Sequence, residues 1–190
     1  MSSINIFTSK DFGPALLLGL LFGLTMKGGG GGGGKTDGWP LPLPQYKLDS
    51  CDETNLYGCR INPVTGLYVL HAGWDIQAPN GTDLYAIEGG TVTQSGTLGG
   101  WGNAITVDTG KGWSFLYAHR PESDTQWSVG TTVTKGEVIG HIGTTGQTQG
   151  GHVHMEIRVN GNPVNPAEYM PVNENTCTCL PLPTPDTGCL

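Results

Sequence analysis

Two histidines, His152 and His154, stand two residues apart in Gly151-His-Val-His-Met-Glu-Ile157, a run rich in β-branched and apolar residues. Side chains on a β-strand repeat every second residue, so both imidazoles face the same way, about 7 Å apart along the strand. Such a pair suits a metal site or acid/base chemistry, but it equally suits an inert, half-exposed strand. Partners decide. Upstream, His71 precedes Asp75 by four residues across Gly73, and His119 closes the run Phe115-Leu-Tyr-Ala118. A catalytic zinc takes three protein ligands from His and carboxylate and keeps a fourth position open for water. His71, Asp75 and one histidine of the pair make such a set. His119 and the remaining histidine are then left to flank the water. Zinc lowers the pKa of bound water toward about 7. The flanking imidazoles can take its proton, donate to a leaving amine or hydrogen-bond a developing oxyanion. No H-E-x-x-H segment is present, so a glutamate base of that type is excluded. His141 fits no role in this set and reads as a groove-edge or surface residue. Glu156 shares the strand face of His154, where a structural or solvated carboxylate is expected over a partner of the metal site.

The elements that must position these groups are short strands. The chain has 190 residues, 36% of them apolar, with 32 glycines and 13 prolines, which favours turns and strands over long helices. Thr91-Val-Thr, Ala104-Ile-Thr-Val, Trp113 to His119 and His152 to Val159 carry β-formers, with glycines between them as turns. No window of this region shows a clean 3.6-residue period. The expectation is a mostly β, antiparallel domain. A net charge of −7 with only nine Lys and Arg argues against nucleic acid as a partner. All five histidines lie between residues 71 and 154, and all five cysteines lie outside that interval. A metal site is therefore expected from His and carboxylate rather than thiolates.

Four segments are expected. Residues 1–27 contain the uncharged run Phe12–Met26, 15 residues long. As a helix it would span about 22 Å, short of the roughly 30 Å hydrocarbon core. That suits a signal-like segment or a short anchor for membrane association. Residues 28–50 begin with seven consecutive glycines and continue into a Pro-alternating stretch, which reads as a linker. Residues 51–170 are the folded domain, and 171–190 a Cys/Pro-rich tail. Cys51 and Cys59 bracket a short loop and can close a disulfide, whereas Cys177, Cys179 and Cys189 stand in the tail. The cysteines lean toward an oxidising location, the cell envelope or extracellular space.

Taken together, these residues resemble the lysostaphin-like (LytM-type) zinc metallopeptidases, which cut the peptide part of bacterial peptidoglycan. The resemblance covers about 110 residues, from Gly58-Cys-Arg-Ile-Asn-Pro-Val-Thr-Gly66 to Val164-Asn-Pro166. It includes the family's H-x(3)-D as His71 and Asp75, its Tyr-to-His segment as Tyr117-Ala-His119, and its glycine-rich approach to H-x-H as Ile139 to His154. Departures such as Thr144, Cys59 and Met155 touch no ligand or catalytic position. The resemblance implies one Zn²⁺ held by His71, Asp75 and His154, with His119 and His152 as catalytic histidines. It also implies an antiparallel β-sheet domain of the duplicated hybrid motif type with a long groove for peptidoglycan peptides. The implied activity is a zinc metalloendopeptidase acting on cross-bridge or stem peptide. Two alternatives use the same domain: a non-catalytic wall-binding or activator module, which would lack ligands, and a lytic component of a phage virion.

Overall fold

The computed structural model describes residues 39–43 and 55–170. Among them, eleven strands and two short 3-10 turns carry the fold, with no α-helix. β1 (Gly58–Ile61) and β2 (Tyr68–His71) form a hairpin, and β4 (Asp83–Tyr85) pairs with β9 (Val138–His141). The main sheet has seven strands: β3 (Trp74–Gln77), β5 (Gly90–Thr97), β6 (Asn103–Asp108), β7 (Trp113–Arg120), β8 (Thr132–Val133), β10 (His152–Val159) and β11 (Asn162–Val164). Its order is β11-β10-β7-β6-β5-β8, with β3 also on β10, and every pairing is antiparallel. The mostly β, antiparallel expectation holds. The apolar run Phe12–Met26 and the tail lie outside the described residues. Among those described, no helix is long and apolar enough to cross a membrane.

The two-residue period divides the main sheet into two chemically distinct faces. Trp74, Ile76, Ile105, Val107, Phe115, Tyr117, Val153, Met155 and Ile157 share one face and form the principal core. Each such side chain, removed from water, contributes about 1.5–3 kcal/mol. The hydroxyl of Tyr117, fully buried, accepts the Ile87 N–H at 2.9 Å, which satisfies a polar atom placed in that layer. The opposite face carries Ala104, Leu116 and Ala118, packed against Leu98 and Trp101. Asp75, His152, His154 and Glu156 lie on that face too.

The folded unit reaches back to Trp39, inside the stretch expected as linker. Trp39 sits edge-on to Trp113 and Phe115, at ring separations of 4.7 and 4.9 Å. Its N–H donates to Tyr169 O, and Pro42 O accepts from the Tyr85 N–H. Leu43 is completely buried. A Pro-alternating sequence carries the same signature whether solvated or laid against a sheet; here the alternating Trp39, Leu41 and Leu43 had an apolar face to cover. Cys59 is disulfide-bonded, and the pairing expected with Cys51 falls outside the described residues.

Gly73 shows how tightly the site is built into the fold. A Cβ at this position would lie 2.2 Å from Met155 O and 3.0 Å from Cγ of Glu156. The turn between β2 and β3 can therefore approach β10 only without a side chain. Gly73→Ala is expected to cost about 1–3 kcal/mol through overpacking, lowering Tm by roughly 3–10 °C for a domain of this size. Gly150→Ala, whose Cβ would meet nothing within 4 Å, is the control. Equal melting of the two variants by calorimetry would contradict this packing.

Candidate metal centre

Strand β10, with β7 on one side and β3 and β11 on the other, carries the histidine pair, and register does the rest. His154 pairs with Asp75 of β3 and His152 with Gln77. His71, the last residue of β2, is returned to the same point by the two-residue turn at Ala72 and Gly73. His71 Nε2, Asp75 Oδ1 and His154 Nδ1 then converge. The separations are 3.1 Å (His71–Asp75), 3.0 Å (His71–His154) and 2.8 Å (His154–Asp75). Among the described residues this is the one group of three His, Cys, Asp or Glu spaced to hold a metal ion.

Tautomers follow from the outer partners. His71 Nδ1–H donates to Leu56 O at 2.6 Å, and His154 Nε2–H donates to Glu156 Oε1 at 3.2 Å. In the neutral rings, the nitrogens that face each other are therefore the ones with lone pairs. Three acceptors pointed at one spot repel unless a cation lies among them. Donors at the ordinary zinc distances of about 2.0–2.1 Å in a tetrahedron lie roughly 3.3 Å apart, within about half an ångström of the 2.8–3.1 Å spacing here. The donor set fits zinc.

Electrostatics agree with this picture. Burial works against a charge on Asp75, but hydrogen bonds with His154 and His71 outweigh it and hold the carboxyl well below its ordinary range. Burial lowers His71, so that ring is neutral near pH 7. Burial also opposes protonation of His154, yet its bonds with Asp75 and Glu156 dominate and push it up to about 9. Without a metal, a proton is the cation that the site demands. Arg60 Nη2 donates to Asp75 Oδ2 at 3.1 Å, leaving Oδ1 as the oxygen turned to the histidines.

The other two predicted histidines line the same groove, a cavity of about 840 Å³ that also includes His71, Asp75, His154 and Trp101. His119 and His152 approach at a ring separation of 4.7 Å. His119 Nδ1–H donates to Thr145 O at 2.7 Å, and His152 Nδ1–H to Gly150 O at 2.9 Å. Both Nε2 atoms are thereby left for groove chemistry; that of His152 lies 3.6 Å from Asp75 Oδ1.

His119 reaches the groove through an irregularity. Between the pairs Asn103–Arg120 and Ile105–Tyr117, β7 advances three residues while β6 advances two. His119 sits in this bulge at φ 63°. A regular strand would turn residue 119 to the core face of Tyr117, whereas the bulge re-aims it. A left-handed non-glycine residue costs on the order of 1–3 kcal/mol. The neighbouring backbone is braced: Thr145 Oγ1 donates to Arg120 O and accepts the Asn103 N–H, and Asn103 Nδ2 donates to Pro121 O.

Two residues for which the sequence left alternatives open are placed by the structure. Glu156 is structural rather than solvated: it is fully buried and tied to His154, with Trp101 from the 3-10 turn and Arg158 from its own strand supplying further donors to its oxygens. His141 does not line the groove; it is a partly exposed residue held by Asp124 at 2.8 Å and near Asp83 at 3.6 Å. Arg60, Trp101 and Thr145 were missed. Nothing in their local spacing signals a role, because each acts through a partner 15 to 55 residues away.

Residues 69–166 match peptidase family M23. The chain is 39% identical over 131 residues to the DD-carboxypeptidase/endopeptidase Mpg of Neisseria meningitidis, covering 68% of this chain and 27% of that protein. It is 34% identical over 106 residues to the peptidoglycan DD-endopeptidase ShyA of Vibrio cholerae, covering 56% and 24%. The chain thus spans about a quarter of the length of these relatives. In structure it is similar to the catalytic domain of the antimicrobial peptidase lysostaphin from Staphylococcus simulans, at TM-score 0.53 and 28% identity, covering 60% of this chain and 86% of that one.

Burial pushes His119 down to about 4, against the hydrogen bond to Thr145 that favours its charged form. The folded state therefore resists protonation of this ring more than the unfolded chain does. The stability this contributes is present above about pH 6.5 and is lost as pH falls toward 4. Imidazole NMR of the metal-free chain is expected to give a His119 midpoint near 4; a midpoint at or above 6 would contradict its burial.

Proposed function

The chain belongs to peptidase family M23, and on that premise we propose that it is a zinc-dependent endopeptidase that hydrolyses peptide bonds in bacterial peptidoglycan. The observation that carries this reading is the convergence of His71 Nε2, Asp75 Oδ1 and His154 Nδ1. Two further imidazoles turn their Nε2 atoms into the same groove. The activity named for the relatives supports the substrate class.

In this reading His71, Asp75 and His154 hold the metal. When bound, zinc supplies a Lewis acid and lowers the pKa of water toward about 7. The chain's own residues do the rest. His119, neutral through burial, and His152 present Nε2 lone pairs that can accept the proton of the attacking water. A protonated ring can return it to the leaving amine, and a ring in its N–H form can hydrogen-bond the oxyanion. Their Nδ1–H bonds to backbone carbonyls prevent the rings from turning away. Arg60 keeps the second oxygen of Asp75 engaged, so that carboxylate offers one oxygen to the metal. A binding or activator module would tolerate loss of these residues, and all five are present.

We assign residues 55–170, with the Trp39–Leu43 strap, to catalysis in the cell envelope or outside the cell. Phe12–Met26 is assigned to export or membrane attachment, and the glycine run to a spacer.

Incubation of the zinc-loaded chain with purified peptidoglycan is expected to release muropeptide fragments, read by mass spectrometry, that vanish with a chelator and return with zinc. Asp75→Asn and His154→Ala are expected to lose stoichiometric zinc by elemental analysis. His119→Ala and His152→Ala are expected to keep zinc and lose about 10²–10⁴-fold in rate. A folded, zinc-bound chain that releases nothing from walls of several cross-link types would sink the peptidase reading.

A further inference from the structure

The carboxylate of Glu156 is completely buried, a costly location for a charge unless its oxygens are satisfied. Three N–H groups meet it. His154 Nε2 donates to Oε1 at 3.2 Å, Trp101 Nε1 to the same oxygen at 2.9 Å, and Arg158 Nε to Oε2 at 2.7 Å. The chain also makes room for it, since the Gly73 turn that delivers His71 and Asp75 would meet Cγ of Glu156 if it carried a Cβ. Groups from β10 itself, the Gly99–Trp101 turn and the Gly73 turn are arranged around one side chain that takes no part in the proton transfers above.

We propose that Glu156 is a positioning residue for the metal: it fixes His154 in the orientation and tautomer that turn Nδ1 to the ion, and it ties that ligand to the groove wall through Trp101. The inference rests on His154 being a zinc ligand, as argued under Proposed function. A half-turn of the His154 ring would replace Nδ1 with a carbon at the convergence point. The bond from Nε2–H to Glu156 opposes that turn and reserves the Nδ1 lone pair for the metal. A carboxylate on the far nitrogen also makes an imidazole a stronger ligand, and removing such a partner weakens metal binding by about 10–100-fold. Arg158 donates to the second oxygen and so satisfies that buried acceptor, while Trp101 and His154 hold the first.

Trp101 extends the connection to the catalytic side. It ends the 3-10 turn Gly99–Trp101 and lines the groove. Its turn is held to the loop that carries Thr145: Gln147 N–H donates to Gly100 O, and Asn103 N–H to Thr145 Oγ1, both at 2.8 Å. Thr145 O in turn holds His119. A peptide packed against Trp101 would therefore bear on both the ligand His154 and the imidazole of His119.

The test is competitive zinc titration of the full chain against a chromophoric chelator, with melting of each metal-free variant beside it. Glu156→Gln keeps the shape and one acceptor oxygen but removes the charge. It is expected to bind zinc at least tenfold more weakly while the metal-free protein melts within about 3 °C of the parent. Arg158→Met, which leaves the His154–Glu156 bond in place, is expected to stay within about threefold in zinc affinity. A purely structural Glu156 would give the reverse, a lower melting temperature with unchanged affinity, and zinc binding by Glu156→Gln within twofold of the parent overturns the proposal. A second measurement needs no variant. Long-range ¹H–¹⁵N spectra of the parent should show His154 protonated at Nε2 and zinc-bound at Nδ1, and the opposite assignment overturns the proposal even if Glu156→Gln does not fold. A parent chain that takes up no zinc sinks this inference together with the peptidase reading. Normal zinc binding by the parent with equal binding by Glu156→Gln sinks this inference alone.

Discussion

Three lone pairs are held within 3.1 Å of one another at His71, Asp75 and His154, and the architecture around them is organised to keep them there. Left to themselves, these atoms would move apart or recruit a proton. They stay because each is anchored from behind: His71 by the Leu56 carbonyl, Asp75 by Arg60 and His154 by Glu156. The strain of bringing like groups together is distributed over hydrogen bonds to rigid backbone and buried side chains. Binding a cation relieves it. Pre-organisation of this kind is what gives a metal site its geometry before the metal arrives.

Strand β10 is the spine of this arrangement. It pairs with β7 on one side and with β3 and β11 on the other, so its backbone is committed along nearly its whole length. Its alternation then sorts chemistry by face. Val153, Met155 and Ile157 go to the core, while His152, His154 and Glu156 go to the groove. The regular sheet cannot deliver everything. His119 belongs by parity to the wrong face, and a β-bulge with a left-handed residue re-aims it. Backbone strain sits at the bend that turns His119 to the groove, braced by Thr145 and Asn103.

Much of this was legible in the chain. His71, Asp75, His119, His152 and His154 stood out because their types and short spacings are rare combinations, and the strands that carry them have a plain two-residue alternation. Residues whose role is to hold others were illegible. Arg60, Trp101 and Thr145 look like ordinary loop or strand residues, and Glu156 next to an H-x-H pair reads as a structural or solvated carboxylate until Trp101 and Arg158 close over it. The packing of Trp39–Leu43 was illegible for a related reason: a Pro-alternating stretch carries the same local signature whether it is free or packed.

The sequence by itself determined the kinds of donor available, the face shared by His152 and His154, the antiparallel β character, and the family to which the site belongs. These are properties of neighbours in the chain, set by side-chain chemistry and strand periodicity. The tertiary structure alone decided which nitrogen of each imidazole points inward, which oxygen of Asp75 is left over, and where Glu156 is buried. Those choices depend on partners such as Leu56, Arg60, Trp101 and Thr145, whose approach is governed by sheet register and by the turns at Gly73 and His119. Spacing along a chain fixes periodicity, but hydrogen-bond partners across a fold fix orientation.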